Sequence, residues 1–219
     1  MDARLFLGLE PTHNPNRWVL PVVGGISAGG QFLFGGCGLG AAIAAMEGTT
    51  GRPVVWATAQ YLNYAPVGST VDIDVTVAVA GRNTTQARVV GHVADSEIFT
   101  VNAALGARPD DFDGTWVTMP SGLPRPEDCP DRPLRMPGVE SINSRLDVRL
   151  ARARNWDEMD GTRGTGQCAL WARIPDLLEL SAGTLAILGD FVPFGIGQAL
   201  GAHGGGNSLD NTLRVASLV

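Results

Sequence analysis

The sequence contains no lysine, and all 16 of its basic residues are arginines. Its 22 acidic residues give a net charge of −6, and no basic block occurs along the chain. A net-acidic chain without a basic segment is a poor binder of nucleic acids and of anionic membranes. We therefore expect no nucleic-acid partner.

Cysteine and histidine are also scarce. The three cysteines, Cys37, Cys129 and Cys168, are far apart and form no CxxC pair. This pattern supports neither a disulfide framework nor a zinc ribbon. The three histidines are scattered without metal-ligand spacing. We therefore expect no metal and no cofactor, and a reducing cytoplasm as the location.

Long hydrophobic runs are missing as well. The apolar run over residues 32–46 has 15 residues, whereas a helix needs about 20 to cross a bilayer. The first residues, Met1-Asp2-Ala3-Arg4, lack the charged-then-apolar layout of a signal peptide. We expect no membrane span.

The remaining composition is that of a folded protein, with 44% hydrophobic and 17% charged residues. Residues 71–79 alternate strictly between apolar and polar side chains, which predicts a strand with one buried face. Residues 85–93 and 97–105 follow after short turns, and residues 53–64 precede them as a further β-rich run. Four such strands predict an antiparallel meander.

One helix is predicted before this meander, over residues 35–47. Its side chains are small and almost uncharged, so it should be buried on most of its circumference. A buried helix followed by a long meander predicts an α+β domain over residues 1–107, in which the sheet wraps the helix.

The second half repeats the same order of elements after a linker. Residues 108–138 contain seven prolines, which predicts an extended linker. Strands are then predicted over residues 139–150 and 166–174, a helix over 181–200 and a strand over 208–215. We interpret residues 139–219 as a second copy of the first fold.

Two glycine-rich motifs match known patterns of active sites. Residues 25–29 fit the G-x-S-x-G nucleophile elbow, and residues 36–41 fit the dinucleotide pattern G-x-G-x-x-A. Both patterns belong to folds in which strands and helices alternate along the chain. The predicted meander has consecutive strands without helices between them, so it argues against both folds. A glycine-rich turn and glycines that let a sheet approach a helix are the simpler interpretations.

Asp190 is a lone carboxylate in the apolar segment 181–200. A carboxylate in such surroundings either caps a local backbone group or takes part in function. The residues alone leave both interpretations open.

Residues 34–42 (FGGCGLGAA) and 58–66 (TAQYLNYAP) resemble the first half of type II acyl-CoA thioesterases. Residues 188–193 (LGDFVP) and 207–214 (NSLDNTLR) resemble a helix and the following strand in their second half. These proteins are double hotdogs, in which an antiparallel sheet wraps a central helix twice. The resemblance implies hydrolysis of fatty acyl-CoA thioesters.

In that family an aspartate, a serine or threonine, and a late glutamine bind the hydrolytic water. The resemblance assigns the first two positions to Asp190 and Ser208. At the start of the first helix, around Gly35, Gly36 and Cys37, we expect a backbone N–H to bind the substrate carbonyl or oxyanion. We expect apolar surfaces between helix and sheet to accept the acyl chain. Cys37 stands where the family often has glutamine.

The expected late glutamine would lie beyond Val219, so we expect an incomplete second hotdog with an exposed sheet edge. Such an edge favours self-association, so we expect a homo-oligomer and weak activity beside a longer form. The main alternative is a non-catalytic protein that binds acyl-CoA or assembles with another chain. A hotdog hydratase, suggested by His13 beside Asn14, and a G-x-S-x-G hydrolase are further alternatives.

Overall fold

A computed structural model describes residues 1–107, 118–177, 179–204 and 206–216, with the backbone alone for Val192. The helices are α1 (Ala3–Leu7), α2 (Gly35–Thr50), α3 (Ala182–Gly189) and α4 (Val192–Leu200). The strands are β1 (Glu10–Pro11), β2 (Arg17–Pro21), β3 (Ser27–Ala28), β4 (Phe32–Leu33), β5 (Val54–Tyr61), β6 (Thr70–Ala80), β7 (Thr84–Val93), β8 (Ser96–Gly106), β9 (Asp147–Arg152), β10 (Ala169–Arg173) and β11 (Asp210–Arg214).

The main sheet has seven strands in the order β1-β2-β6-β7-β8-β5-β11, and every neighbouring pair is antiparallel. Three of the four predicted meander strands, β6, β7 and β8, follow one another in the sheet. The first strand, β5, pairs with β8 instead of β6, because β2 occupies the other edge of β6. Val71, Ile73 and Val75 of β6 are buried, as the alternation predicts. Val77 and Val79 are exposed, and a shift of register between them interrupts the alternation.

Helix α2 packs against this sheet and is buried along most of its length. Leu39, Ile43 and Met46 are fully buried. Gly48 lets the helix approach β2, because a Cβ at this position would lie 2.5 Å from the ring of Trp18. These contacts confirm the α+β layout in which an antiparallel sheet wraps one small-sided helix.

The second half begins differently from its prediction. Residues 139–150 were expected to form one strand, but Ile142–Arg145 is a 3-10 turn and β9 begins only at Asp147. The hydroxyl of Ser144 accepts a hydrogen bond from the N–H of Ser141 at 3.2 Å, and such local side-chain bonds favour a turn over a strand. Strand β9 then pairs with β10 in a separate hairpin.

The apolar segment predicted as one helix over residues 181–200 forms two helices, α3 and α4. Pro193 lies in the first turn of α4. In a continuous helix its ring would clash with the carbonyl of Gly189, and it has no N–H to donate. The break leaves Asp190 at the end of α3 instead of inside a helix.

Residues 182–200 together are long and apolar enough to cross a membrane, but the two helices are each shorter than the roughly 20 residues that a span requires.

The last strand joins the sheet of the first half. Residues 208–215 contain the predicted strand close to α3, and β11 pairs with β5 at the edge of the sheet that β5 leaves free. The hydroxyls of Thr58 and Thr212 reinforce this pairing at 2.8 Å. Within the described residues, no strand pairs with the other side of β11.

The division into two domains and a linker stays a prediction. Of the predicted linker, residues 108–117 lie outside the described residues. Residues 118–138 contain one 3-10 turn, Pro126–Asp128, in otherwise irregular chain.

Candidate functional site

Asp190 is a buried carboxylate that both halves of the chain hold in place. The residue is 8% exposed. Its Oδ2 accepts a hydrogen bond from the backbone N–H of Gly36 at 2.8 Å, and its Oδ1 accepts one from the hydroxyl of Ser208 at 3.0 Å. The structure therefore brings together the two residues that the resemblance assigns to the water site, and it adds the first turn of α2.

Glycines allow α2 to reach the carboxylate. A Cβ at Gly36 would lie 2.7 Å from the carbonyl oxygen of Ala186 and 3.0 Å from Cβ of Asp190. Farther along α2, a Cβ at Gly40 would lie 3.1 Å from a carbonyl oxygen of α3. The first N–H groups of a helix have no partner within it and favour a negative charge nearby. The start of α2 is thus well placed to bind a carboxylate.

The pKa of the Asp190 carboxyl is raised above its ordinary value. Burial is the largest cause, and the hydrogen bonds from Ser208 and Gly36 oppose it. A carboxylate with a raised pKa accepts a proton more readily than an exposed one. Each of its oxygens has capacity for a further hydrogen bond, so Asp190 can bind a water molecule and take its proton.

Tyr61 is a third polar residue beside this carboxylate. It lies at the end of β5, and a Cβ built on Gly35 would lie 3.2 Å from its hydroxyl oxygen and 2.7 Å from Oδ2 of Asp190. The sequence alone gives Tyr61 no role, because it stands among other β-forming residues. Tyr61 is two residues from Ala59 in β5, so both side chains point to the inner face of the sheet. This spacing was the one signal in the sequence that Tyr61 faces the interior.

An open cleft of about 520 Å³ reaches Asp190 from one side. Phe34, Phe191 and Phe194 give it an apolar wall, and Arg132 and Arg135 line it as well. It lies beside α4, whereas we expected the acyl-chain surface between helix and sheet, where α2 is closely packed.

Arg132 places a positive charge in this cleft. Its guanidinium lies 5.2 Å from the centre of the Phe191 ring and donates a hydrogen bond to Asn143 at 2.7 Å. Burial lowers the pKa of Arg132, and it pairs with no carboxylate within the described residues. The cleft therefore combines an apolar wall with a cation that an anionic ligand could neutralise.

At the start of α2, the N–H groups of Gly36, Cys37 and Gly38 are engaged. The N–H of Gly36 bonds to Asp190, and those of Cys37 and Gly38 both donate to the carbonyl of Phe34 at 3.0 Å. The side chain of Cys37 is fully buried, and burial raises the pKa of its thiol. Substrate binding by Gly35, Gly36 and Cys37 stays a prediction, and a reactive Cys37 thiolate is not favoured.

The other motifs have structural explanations. The hydroxyl of Ser27, the serine of G-x-S-x-G, is buried and donates to the carbonyl of Gly24 at 2.6 Å. His92 lies on the sheet surface, 3.0 Å from Asp74, which also pairs with Arg17. Within the described residues, no group of three or more metal-ligating side chains converges.

Comparisons with known proteins show which family the chain belongs to. A sequence model of the acyl-CoA thioesterase N-terminal domain matches residues 23–106. A candidate thioesterase from Novosphingobium aromaticivorans is 31% identical, with a TM-score of 0.79, over 94% of this chain and 79% of that one. The chain belongs to the thioesterase-like hotdog family.

Two more distant structures support the hotdog fold. A hotdog protein of unknown function from Alicyclobacillus acidocaldarius has a TM-score of 0.81 at 17% identity, over 98% of this chain and 78% of that one. The tesB protein of Mycobacterium avium subspecies paratuberculosis has a TM-score of 0.73 at 16% identity, over 99% and 80%. A search of curated proteins finds no match. The predicted α+β hotdog architecture is confirmed.

Proposed function

We propose that this hotdog protein is a type II acyl-CoA thioesterase, which hydrolyses acyl-CoA to a free fatty acid and CoA. The observation that carries the proposal is the buried Asp190 carboxylate, which is held by Ser208 and Gly36 at the edge of the cleft. Membership of the thioesterase-like family supports the same reaction.

Asp190 acts as the general base in this proposal. A water molecule bound to its carboxylate attacks the thioester carbon, and its proton passes to Asp190 as the new C–O bond forms. The tetrahedral intermediate then collapses, the C–S bond breaks, and the proton leaves Asp190 to neutralise the CoA thiolate. The products are a carboxylic acid and a thiol, and no acyl-enzyme forms.

The cleft provides space for the thioester end of the substrate. Its volume of about 520 Å³ lies within the usual range of ligand pockets, roughly 300–1,000 Å³. The aromatic wall suits an acyl or pantetheine chain, and Arg132 suits an anionic substrate such as acyl-CoA.

Release of CoA tests the proposal. The protein is mixed with hexanoyl-CoA and with palmitoyl-CoA, and the free thiol is followed with a thiol reagent. Exposed Cys168 contributes a fixed blank, which a sample without substrate measures. We expect many equivalents of CoA per protein. Saturable binding of acyl-CoA without turnover would instead support the non-catalytic alternative.

Ser208→Ala should move the acid limb of the pH profile. Wild-type kcat/KM should fall as the pH drops through the raised Asp190 pKa, because only the carboxylate accepts a proton. Ser208 lowers that pKa, so its loss should shift the limb to higher pH. A hydrogen bond to a charged group is worth about 1.5–3 kcal/mol, or roughly 10- to 100-fold on the acid limb.

Ser208→Thr is the matched control, because it keeps the hydroxyl and should keep the wild-type profile. The profile is measured as kcat/KM for one acyl-CoA between pH 4 and pH 9, with thermal unfolding at each pH. An acid limb that stays in place in Ser208→Ala would separate Ser208 from the proton-accepting group.

A further inference from the structure

The hydroxyl of Tyr61 is buried and has no hydrogen-bond partner within the described residues. The neighbouring Asn211 side chain approaches the Tyr61 hydroxyl and lowers its pKa, against the larger opposite effect of burial, but it does not reach hydrogen-bond geometry. A buried hydroxyl without a partner destabilises a protein, and unpaired groups of this kind are uncommon in folded structures. Such a group beside Asp190 is a candidate hydrogen-bond donor to a bound ligand.

The hydroxyl of Tyr61 lies close to the carboxylate of Asp190, the proposed general base. Gly35 separates its hydroxyl from Oδ2 of Asp190, and each of these atoms would be within 3.2 Å of a Cβ at Gly35. Both groups therefore pack against Gly35, where a side chain would collide with them. Burial and the charge of Asp190 raise the pKa of Tyr61, so the hydroxyl stays protonated and can donate at neutral pH.

Thioester hydrolysis needs a donor that stabilises the negative oxygen of the tetrahedral intermediate. The N–H groups of Gly36, Cys37 and Gly38 are already engaged. The other described side-chain donors that are buried without a partner belong to Trp56 and Arg132. Of the three, only Tyr61 adjoins both Asp190 and the start of α2.

We infer that Tyr61 is a catalytic residue whose hydroxyl donates a hydrogen bond to the thioester oxygen as that oxygen becomes negative. The inference rests on the proposed thioesterase function and assigns a role to a residue outside the Asp190–Ser208 pair. Because the bond strengthens only as charge develops, it should affect kcat more than KM.

Tyr61→Phe tests this role, because it removes one oxygen atom and keeps the ring. We expect kcat for palmitoyl-CoA to fall about 10²- to 10³-fold, with KM changed less than threefold. The unfolding midpoint should stay equal or rise, since an unpartnered buried hydroxyl is removed. If Tyr61 served only the packing of the fold, its substitution would lower the unfolding midpoint. A loss of activity together with a higher unfolding midpoint would therefore indicate a role in catalysis.

The chain supplies a matched control, because it contains only two tyrosines. Tyr64 is exposed, and its hydroxyl accepts a hydrogen bond from Asn207 at 2.9 Å. Tyr64→Phe should keep wild-type kcat and KM.

Asp190→Asn separates this inference from the function on which it rests. If Asp190→Asn loses activity and Tyr61→Phe keeps it, the Tyr61 role is overturned and the proposed function stands. A Tyr61→Phe variant that loses activity together with a lowered midpoint would also overturn the role, because packing would then explain the loss. A wild-type protein that releases no CoA would overturn both proposals.

Discussion

Asp190→Asn should lower kcat for acyl-CoA hydrolysis by about 10²- to 10⁴-fold, the contribution of a general base. The amide cannot take a proton from water, yet it has nearly the same shape as the carboxyl. Its oxygen can accept the hydrogen bond from Gly36, and its NH₂ can donate to the hydroxyl of Ser208. Substrate binding should therefore change far less than turnover.

The same substitution should not destabilise the protein at neutral pH. The pKa of Asp190 is raised in the folded state, so the folded protein binds this proton more tightly than the unfolded chain. Stability of the wild type therefore falls as the pH rises from the ordinary aspartate pKa through the raised one. The asparagine amide has no such charge to bury, so thermal unfolding of the variant at pH 7 should give an equal or higher midpoint.

Asp210→Asn is the control for this experiment. Asp210 is exposed on β11, two residues from Ser208, and its loss removes the same charge and only a minor charge effect on Tyr61, with both hydrogen bonds to Asp190 kept. We expect wild-type turnover. An Asp190→Asn variant that hydrolyses acyl-CoA at the wild-type rate would remove Asp190 from the mechanism.

Gly35→Ala should cause the second large loss of activity, about 10²-fold in kcat. The new methyl group would lie 2.7 Å from Oδ2 of Asp190 and 3.0 Å from the ring of Tyr61. Neither distance is a normal contact, so the carboxylate or the ring must move. A displacement of about 1 Å at a catalytic group is enough for a loss of this size.

The stability of Gly35→Ala separates displacement from unfolding. Forcing a methyl group into a packed site costs typically about 1–3 kcal/mol, so thermal unfolding should show a folded but weakened protein. Gly189→Ala is the matched control in α3, because apart from its chain neighbours and the backbone of its own helix no atom lies within 4 Å of its Cβ position. That variant should keep full activity. Wild-type kcat in Gly35→Ala would show that the space between Asp190 and Tyr61 is not used.

The sequence predicts the first half of the fold well because its signals are local. Alternation over residues 71–79 and the small side chains of α2 are properties of short segments. Helix α2 forms as predicted, and the strand forms with its alternation of burial kept as far as Val75. The break between α3 and α4 was also within reach of sequence reasoning, since Pro193 disfavours a continuous helix. The apolar composition of the segment concealed it.

The site depends on contacts that no local pattern reveals. The bond between Gly36 and Asp190 joins residues that are 154 positions apart. The pairing of β11 with β5 was missed because a free strand edge has no distinct composition. Asp190 and Ser208 were identified through the family resemblance. Tyr61 lies in segment 58–66, which carries part of that resemblance, but it was given no role there and became visible through its unpartnered hydroxyl.

The central claim is that a water molecule bound at Asp190 attacks the thioester without an acyl-enzyme intermediate. Hydrolysis in H₂¹⁸O is its most direct test. The full chain is incubated with excess palmitoyl-CoA, and the masses of the free acid and of the intact protein are measured during turnover. The proposed mechanism predicts palmitate with one ¹⁸O atom, formed in many equivalents, and a protein that never carries an acyl group. An acylated protein during turnover, or no palmitate beyond the uncatalysed background, would contradict it.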